Sequence, residues 1–352
     1  MHLKPFLALL IFVVLVAPFG QGNKVLAKNG PVGSKQRLVE LPFDSVDLFR
    51  IESSQRGHEF SGLTVSPQGK LYTVSDNVWD ASIYRLDIDE STGDRARCVP
   101  LVVDTSALGQ RAYDWEGICS LDDQTFFLLN ERGDGNELSC RIAKVSFTKG
   151  SKKGKAIWHS PSLLQRACRL SLSPVEPNKS LEGIALLSHK EPLSFLLAFE
   201  RVERTILHLS STGNLAKVKE TEEASYEHYF KGHGRGSASF SGLAFEGPDK
   251  LFVAVRNCSA VAKFKFFQDK EGANVSLAAI WSFAHILKGR GLWNWWNSPD
   301  HKEPFGYGMA EGVCTNKEFV YVIFDTQNCF SPKGTKDYRT PLLRFRRPDR
   351  LW

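Results

Sequence analysis

The 352-residue sequence predicts an all-β fold, a β-propeller in which five blades are favoured and six stay possible. One short motif occurs five times, and repetition at this spacing is typical of propellers whose blades carry inserted loops. In each copy a glutamate or serine precedes a glycine, and the apolar run that follows ends on a charged or amide side chain. The motif glycines are Gly62, Gly117, Gly183, Gly242 and Gly312. Helical periodicity is weak almost everywhere, which favours strands over helices.

Each repeat should form one four-stranded sheet. Runs rich in Val, Ile, Leu and Phe alternate with turn residues, as expected for short strands. The last repeat provides only three strands, so we expect residues 36–41 (QRLVEL) to complete the last blade and close the ring. Closure removes exposed sheet edges. The sequence therefore predicts a single propeller domain over residues 36–352.

The first 27 residues are expected to lie outside this domain. His2 and Lys4 precede an apolar stretch at residues 5–18 that is short for a membrane span, and small and polar residues follow. This order predicts a signal peptide cleaved between Ala17 and Ala27, and hence a secreted or periplasmic protein. An uncleaved N-terminal anchor is the alternative. No membrane span is expected after removal of the signal.

Charge and cysteine content narrow the functional classes. The formal net charge is +6, and no basic stripe suited to nucleic acid occurs, so a nucleic-acid partner is not expected. The chain has seven cysteines. Cys119 and Cys314 occupy equivalent places in their repeats, and equivalent places in a ring are far apart. These two cysteines should not pair with each other.

Two sets of polar residues are expected to surround one mouth of the central channel. The first strand of each blade lines the axis, and the second strand runs antiparallel to it, so the start of one and the end of the other lie at the same end. The inner set is Ser61, Glu116, Glu182, Ser241 and Glu311. The outer set is Asp76, Glu131, Glu200, Arg256 and Asp325, followed in the chain by Asn77, Arg132, Arg201, Asn257 and Thr326.

This mouth should carry an excess of carboxylates. Converging carboxylates repel one another unless they are protonated, paired with arginine or bound to a cation. Carboxylate and amide oxygens suit Ca²⁺ best and Mg²⁺ less well. The candidate metal ligands are Glu116, Glu182, Glu311, Asp76, Asn77 and Asp325. The alternative is structural: each glutamate binds backbone N–H groups of the next blade, and the Glu–Arg pairs are closed salt bridges.

Specific roles follow if the mouth is a catalytic site. The candidate catalytic residues are Glu116, Glu182, Glu311, Arg132 and Arg201. The candidate ligand-binding residues are Arg256, Asn257, Glu131, Glu200 and Trp115. The arginines would orient an anionic group of a small substrate.

At residues 114–118 (DWEGI), with echoes at residues 182–184 and 311–313, the chain resembles the phytase-like family, described as having esterase-like activity of phytase. It also resembles exported propellers described as SdiA-regulated. The resemblance covers about residues 60–340 and implies a propeller, Ca²⁺ and a hydrolytic activity. The D-A-x-D-D-P-A signature of the β-propeller phytases does not occur, which speaks against phytate as the substrate.

Two functions are therefore left open. The first is an exported Ca²⁺-dependent hydrolase of a phosphoester, ester or lactone. The second is a non-catalytic propeller that binds a ligand or a partner.

Overall fold

The structure, a computed structural model, describes thirteen stretches of the chain. They are residues 37–52, 59–76, 81–109, 113–132, 138–171, 180–199, 205–221, 239–256, 258–290, 293–294, 309–325, 329–330 and 339–350. The predicted signal segment lies outside them. In the described stretches no helix is both long and apolar enough to cross a membrane.

The described chain is built almost entirely from short strands. Strands β1 (Arg37–Glu40) and β2 (Val46–Glu52) come first, followed by β3 (Phe60–Val65), β4 (Leu71–Ser75), β5 (Ile83–Asp89) and β6 (Arg95–Asp104). Next come β7 (Trp115–Ser120), β8 (Thr125–Arg132), β9 (Leu138–Phe147) and β10 (Lys153–Trp158), then helix α1 (Leu164–Ser171). The middle of the chain forms β11 (Leu181–Leu186), β12 (Phe195–Phe199), β13 (Thr205–Leu209), β14 (Leu215–Lys217) and β15 (Lys219–Glu220).

The C-terminal part continues the same pattern. Strands β16 (Ser239–Glu246), β17 (Lys250–Arg256), β18 (Ala260–Asp269) and β19 (Gly272–Ser282) precede helix α2 (Ala284–Gly289). The last strands are β20 (Trp293–Asn294), β21 (Met309–Thr315), β22 (Phe319–Asp325), β23 (Cys329–Phe330) and β24 (Pro341–Arg346).

In the described residues these strands pair antiparallel in five groups of four, and parallel pairs link β6 to β2 and to β10. We number the five groups blades 1 to 5: β3–β6, β7–β10, β11–β14, β16–β19, and β21, β22 and β24 together with β2. The all-β propeller fold predicted from the sequence is confirmed. The total number of blades stays a prediction.

The inner strands pack side by side in a closed circuit, in the order β3, β7, β11, β16, β21 and back to β3. The motif glycines permit this approach. A Cβ atom at Gly183 would lie 2.2 Å from the Ser241 carbonyl oxygen, and one at Gly312 would lie 2.7 Å from the Ser61 carbonyl oxygen. Contacts this short are excluded for a side-chain carbon, so only glycine fits between the crowded strands.

The hydrophobic core is divided among the junctions between blades. The buried apolar side chains of the described residues form five clusters, and each lies where two neighbouring blades meet. Aromatic pairs cross these junctions: the rings of Phe127 and Phe195 are 5.0 Å apart between blades 2 and 3. Each blade therefore depends on its neighbours for burial of both of its faces.

An N-terminal strand completes the last blade, but it is not the strand that the sequence suggested. Strand β2 pairs antiparallel with β24. The expected segment, residues 36–41, instead forms β1, which pairs in parallel with β19 at the outer edge of blade 4. The physical reason is burial: β2 packs Val46, Phe49 and Ile51 into the core, whereas Leu38 of β1 is 40% exposed.

Candidate functional site

The Glu-Gly and Ser-Gly pairs lie at β-bulges in all five inner strands. In β7, Trp115 pairs with Asn130 and Gly117 pairs with Leu129, so Glu116 is the extra residue between them. The same irregularity occurs in the other four inner strands, at Glu182, Glu311, Ser61 and Ser241. A bulge re-aims the side chain that it carries. The five residues predicted for the inner set therefore share one local geometry.

One group of three carboxylates lies in blade 2. Asp114 precedes β7, Glu116 lies in its bulge, and Glu131 lies near the end of β8. Each offers one oxygen, and these oxygens all lie within 4.8 Å of one another. We call Asp114, Glu116 and Glu131 the carboxylate cluster. Such a set of hard oxygen ligands could hold a metal ion.

Two hydroxyls and one guanidinium hold the cluster in place. Ser61 in blade 1 donates to Glu116 Oε2 at 2.9 Å, and Ser180 donates to Glu131 Oε1 at 2.7 Å. Arg132 Nε lies 2.8 Å from Glu131 Oε2 and 3.3 Å from Asp114 Oδ2. One arginine thus contacts two of the three carboxylates, and its side chain is 26% exposed.

Burial and the neighbouring carboxylates together shift the pKa of Asp114. Burial, followed by the nearby Glu116 and Glu131 carboxylates, raises the pKa of Asp114 to about 10, and Arg132 offsets this only in part. At neutral pH and without a cation, Asp114 is therefore protonated. Protonation of Asp114 reduces the repulsion among the three carboxylates, and binding of a metal ion would have the same effect.

A second group of charges lies in blades 3, 4 and 5. Arg256, at the end of β17, places Nη2 2.8 Å from Glu311 Oε1 and Nη1 3.8 Å from Glu182 Oε2. The three side chains are between 6% and 14% exposed. We call them the Arg256 group. The structure thus brings Glu182 and Glu311 together, as expected for the inner set, but it places an arginine between them.

The other predicted residues have different placements. Trp115 is fully buried in the core and stacks on Tyr113 with ring centroids 5.2 Å apart. Asp76 follows β4 at the predicted end of blade 1, and its backbone N–H donates to the Glu59 carbonyl oxygen at 3.0 Å. The backbone of Asp325 ends β22. The remaining predicted residues lie outside the described stretches: Asn77, Glu200, Arg201 and Asn257.

Sequence reasoning did not include Asp114 or Ser180 among the site residues. Asp114 stands two residues before Glu116, and residues at this spacing in an extended chain share a face. That spacing was a usable signal for Asp114. Ser180 carries no such signal, because its contact with Glu131 joins residues that are 49 positions apart.

Three solved structures resemble the fold at low identity. A luciferin-regenerating enzyme is 12% identical, with 85% of this chain and 94% of that chain covered, at a TM-score of 0.43. The PQQ-bound aldose sugar dehydrogenase from Streptomyces coelicolor is 13% identical, with 85% and 98% covered, at a TM-score of 0.41. Glutaminyl cyclase from Myxococcus xanthus is 9% identical, with 85% and 95% covered, at a TM-score of 0.43. Likenesses this distant carry no inference about chemistry.

A family comparison bears directly on the candidate site. A search of curated proteins found no significant match. The phytase-like family model, described as "Esterase-like activity of phytase", matches residues 55–202. That segment comprises blade 1, blade 2 and the first hairpin of blade 3, and it contains the whole carboxylate cluster. The resemblance to the phytase-like family is therefore confirmed over residues 55–202, whereas the resemblance to SdiA-regulated propellers stays a prediction.

Proposed function

We propose that this protein is an exported, metal-dependent hydrolase of a small phosphoester, ester or lactone, with Ca²⁺ bound at the carboxylate cluster. The observation that carries the proposal is the convergence of three acidic oxygens within 4.8 Å with Arg132 as the facing guanidinium. The phytase-like match over this segment supports it.

The donor set fits a hard divalent cation. Asp114, Glu116 and Glu131 would hold it, and water would complete the six to eight oxygen ligands that Ca²⁺ takes. When bound, the ion would supply a Lewis acid that polarises a phosphoryl or carbonyl oxygen. The Arg256 group is a poorer metal site, because its two carboxylates already share a buried guanidinium. This moves the proposed metal site from the channel axis, where Glu182 and Glu311 were expected to contribute, to blade 2.

The chain's own residues have defined tasks in such a reaction. The Arg132 side chain is partly exposed, so it could bind the anionic part of a substrate while it contacts Glu131. Glu116 is the least buried member of the cluster and can accept a proton from an attacking water. Ser61 and Ser180 fix the orientation of Glu116 and Glu131.

The second candidate function is a non-catalytic binding propeller in which these groups are structural. One observation favours it: the polar contacts join neighbouring blades. Ser61 contacts Glu116 across blades 1 and 2, and Arg256 contacts Glu311 across blades 4 and 5. Contacts of this kind would hold the ring together whether or not a substrate binds.

Calcium titration of chelator-treated protein by calorimetry tests the metal site. We expect one saturable site in the wild type, loss of binding in Glu131→Gln and Asp114→Asn, and retained binding in Glu311→Gln. Loss in all three variants, or no binding in the wild type, would contradict the proposal.

A second assay separates hydrolysis from binding alone. We expect turnover of 4-nitrophenyl phosphate, a 4-nitrophenyl ester or a simple lactone that needs Ca²⁺ and is abolished in Glu116→Gln. Ca²⁺ binding without turnover of any of these would favour the binding protein. Turnover that survives Glu116→Gln would place the reaction elsewhere.

A further inference from the structure

A cavity opens at the opposite end of the inner strands from the carboxylate cluster. Its volume is about 820 Å³, and its walls are the distal ends of the inner strands together with the turns that follow them. The bulged residues lie at the other ends of the same strands. The motif glycines stand between the two regions in every inner strand, so the cavity is separate from the proposed metal site.

The cavity exists because equivalent positions in the five inner strands carry small side chains. The residue two positions after each motif glycine lines it in all five blades. These residues are Thr64, Cys119, Ala185, Ala244 and Cys314. A leucine or phenylalanine at these places would fill the space, as large residues fill the other core positions. A space of this size lies within the range of small-molecule pockets.

The walls indicate the chemistry of an occupant. Leu63, Val65, Ile118, Leu186 and Leu243 make much of the surface apolar. The hydroxyl-bearing residues Ser66 and Ser120 also line it and are only 4% and 3% exposed. Ser120 Oγ donates to the Val65 carbonyl oxygen at 3.2 Å, so its lone pairs are the part that can accept a bond from a ligand.

The charged groups at the rim are neutralised by other protein groups. Glu246 accepts from Arg347 Nη1 at 2.6 Å, and Glu90 forms an ion pair with Arg344, which also pairs with Asp47. Lys317 and Glu318 are adjacent and opposite in sign. The groups named here leave one negative charge unbalanced, so a charged ligand would give up its hydration for little opposite charge in return.

We infer that this cavity is a binding site for an uncharged, mainly apolar small molecule that carries a hydroxyl or carbonyl group. The site is independent of the proposed hydrolase function, because it shares none of the cluster residues. Its ligand enters from the end of the channel at which the turns after the inner strands lie.

The test uses the neutral fluorescent probe N-phenyl-1-naphthylamine, titrated into the full mature protein. We expect saturable binding to the wild type with one probe per chain. Filling the cavity with Ala185→Leu together with Ala244→Leu should weaken binding at least tenfold. Ala216→Leu, a matched change at an exposed position of β14, should leave binding unchanged. The anionic relative 1-anilinonaphthalene-8-sulfonate should bind the wild type at least tenfold more weakly.

A second variant keeps the inference testable if the double leucine variant does not fold. Thr315→Tyr places a ring at the partly exposed end of the cavity and should also weaken probe binding at least tenfold, with the circular dichroism spectrum unchanged. The inference is overturned if the wild type does not bind the neutral probe saturably, if folded filled variants bind it as the wild type does, or if the anionic dye binds as tightly. Because none of these changes touches the cluster, calcium binding should persist in all of them.

Discussion

Replacing Arg256 with methionine should destabilise the protein by about 3–5 kcal/mol at pH 7. The change removes the cation but retains an apolar side chain of similar length. It leaves Glu182 and Glu311, which are 7% and 6% exposed, without the guanidinium that lies 3.8 Å and 2.8 Å from their oxygens. Breaking a buried ion pair from one side costs about this much, because the buried carboxylates lose the cation that offsets their desolvation.

The loss of stability can also be estimated from the free energy needed to protonate one of the two glutamates. A buried carboxylate that loses its cation takes up a proton. The free-energy cost is about 1.4 kcal/mol for each unit by which the pH exceeds the ordinary pKa of about 4.3. Protonating one glutamate at pH 7 therefore costs about 3.7 kcal/mol. The protonated form is favoured in the folded variant, so the deficit should shrink as the pH falls and should be about 1 kcal/mol at pH 5 if one carboxylate is protonated.

Urea unfolding at pH 7 and pH 5, followed by circular dichroism, measures both effects. Arg85→Met is the control, because Arg85 lies 2.8 Å from Asp87 but both side chains are more than one-third exposed, and it should cost less than about 1 kcal/mol. Adding Glu182→Gln and Glu311→Gln to Arg256→Met should recover most of the loss. Equal small losses for Arg256→Met and Arg85→Met, or no recovery in the triple variant, would refute the reasoning.

Three further changes test other parts of the structure. Because the pKa of Asp114 is raised to about 10 from 3.8, the metal-free wild type should lose stability as the pH rises between these values, by at most about 1.4 kcal/mol per unit. Asp114→Asn should flatten this slope in urea unfolding at pH 6 and pH 9, and an unchanged slope would contradict the assignment. Gly183→Ala should lower the unfolding free energy by about 3 kcal/mol or more, because the added Cβ would clash with the Ser241 carbonyl oxygen. Gly247→Ala is the control, since no atom lies within 4 Å of its Cβ position, and it should show a far smaller loss of thermal stability. Although burial raises the pKa of Asp349, its ion pairs lower it to about 2, so Asp349→Asn should cost about 2 kcal/mol at pH 7 and less at pH 3; an equal cost at both pH values would count against the ion pairs.

The fold was predictable because each copy of the repeated motif marks one inner strand. Each Glu-Gly or Ser-Gly pair marks the same bulge in an inner strand, and each glycine marks a backbone contact with the next strand. The choice of closing strand was not predictable from pattern alone, since residues 37–40 and 46–52 both read as strands. Only packing against β24 distinguishes them.

The candidate site was predictable in composition but not in pairing. The sequence indicates that glutamates and arginines meet at one end of the blades, and the Arg256 group shows such a meeting. It does not indicate that Arg256 neutralises Glu182 and Glu311, or that Asp114 joins Glu131 near Arg132. Those pairings depend on side-chain reach and on the angle between neighbouring blades, which a linear motif does not encode.

The pairing of β2 with β24 has a consequence for synthesis. Val46 lies opposite Phe345, so the seam of the ring joins one strand that is synthesised before blade 1 and another that is synthesised after β22. While the ribosome adds the intervening blades, β2 lacks its partner on that side and exposes backbone groups that another chain could pair with. A circular permutant that begins before β11 and links the chain after β24 to the chain before β1 would make both seam strands in close succession, and it should therefore aggregate less during expression.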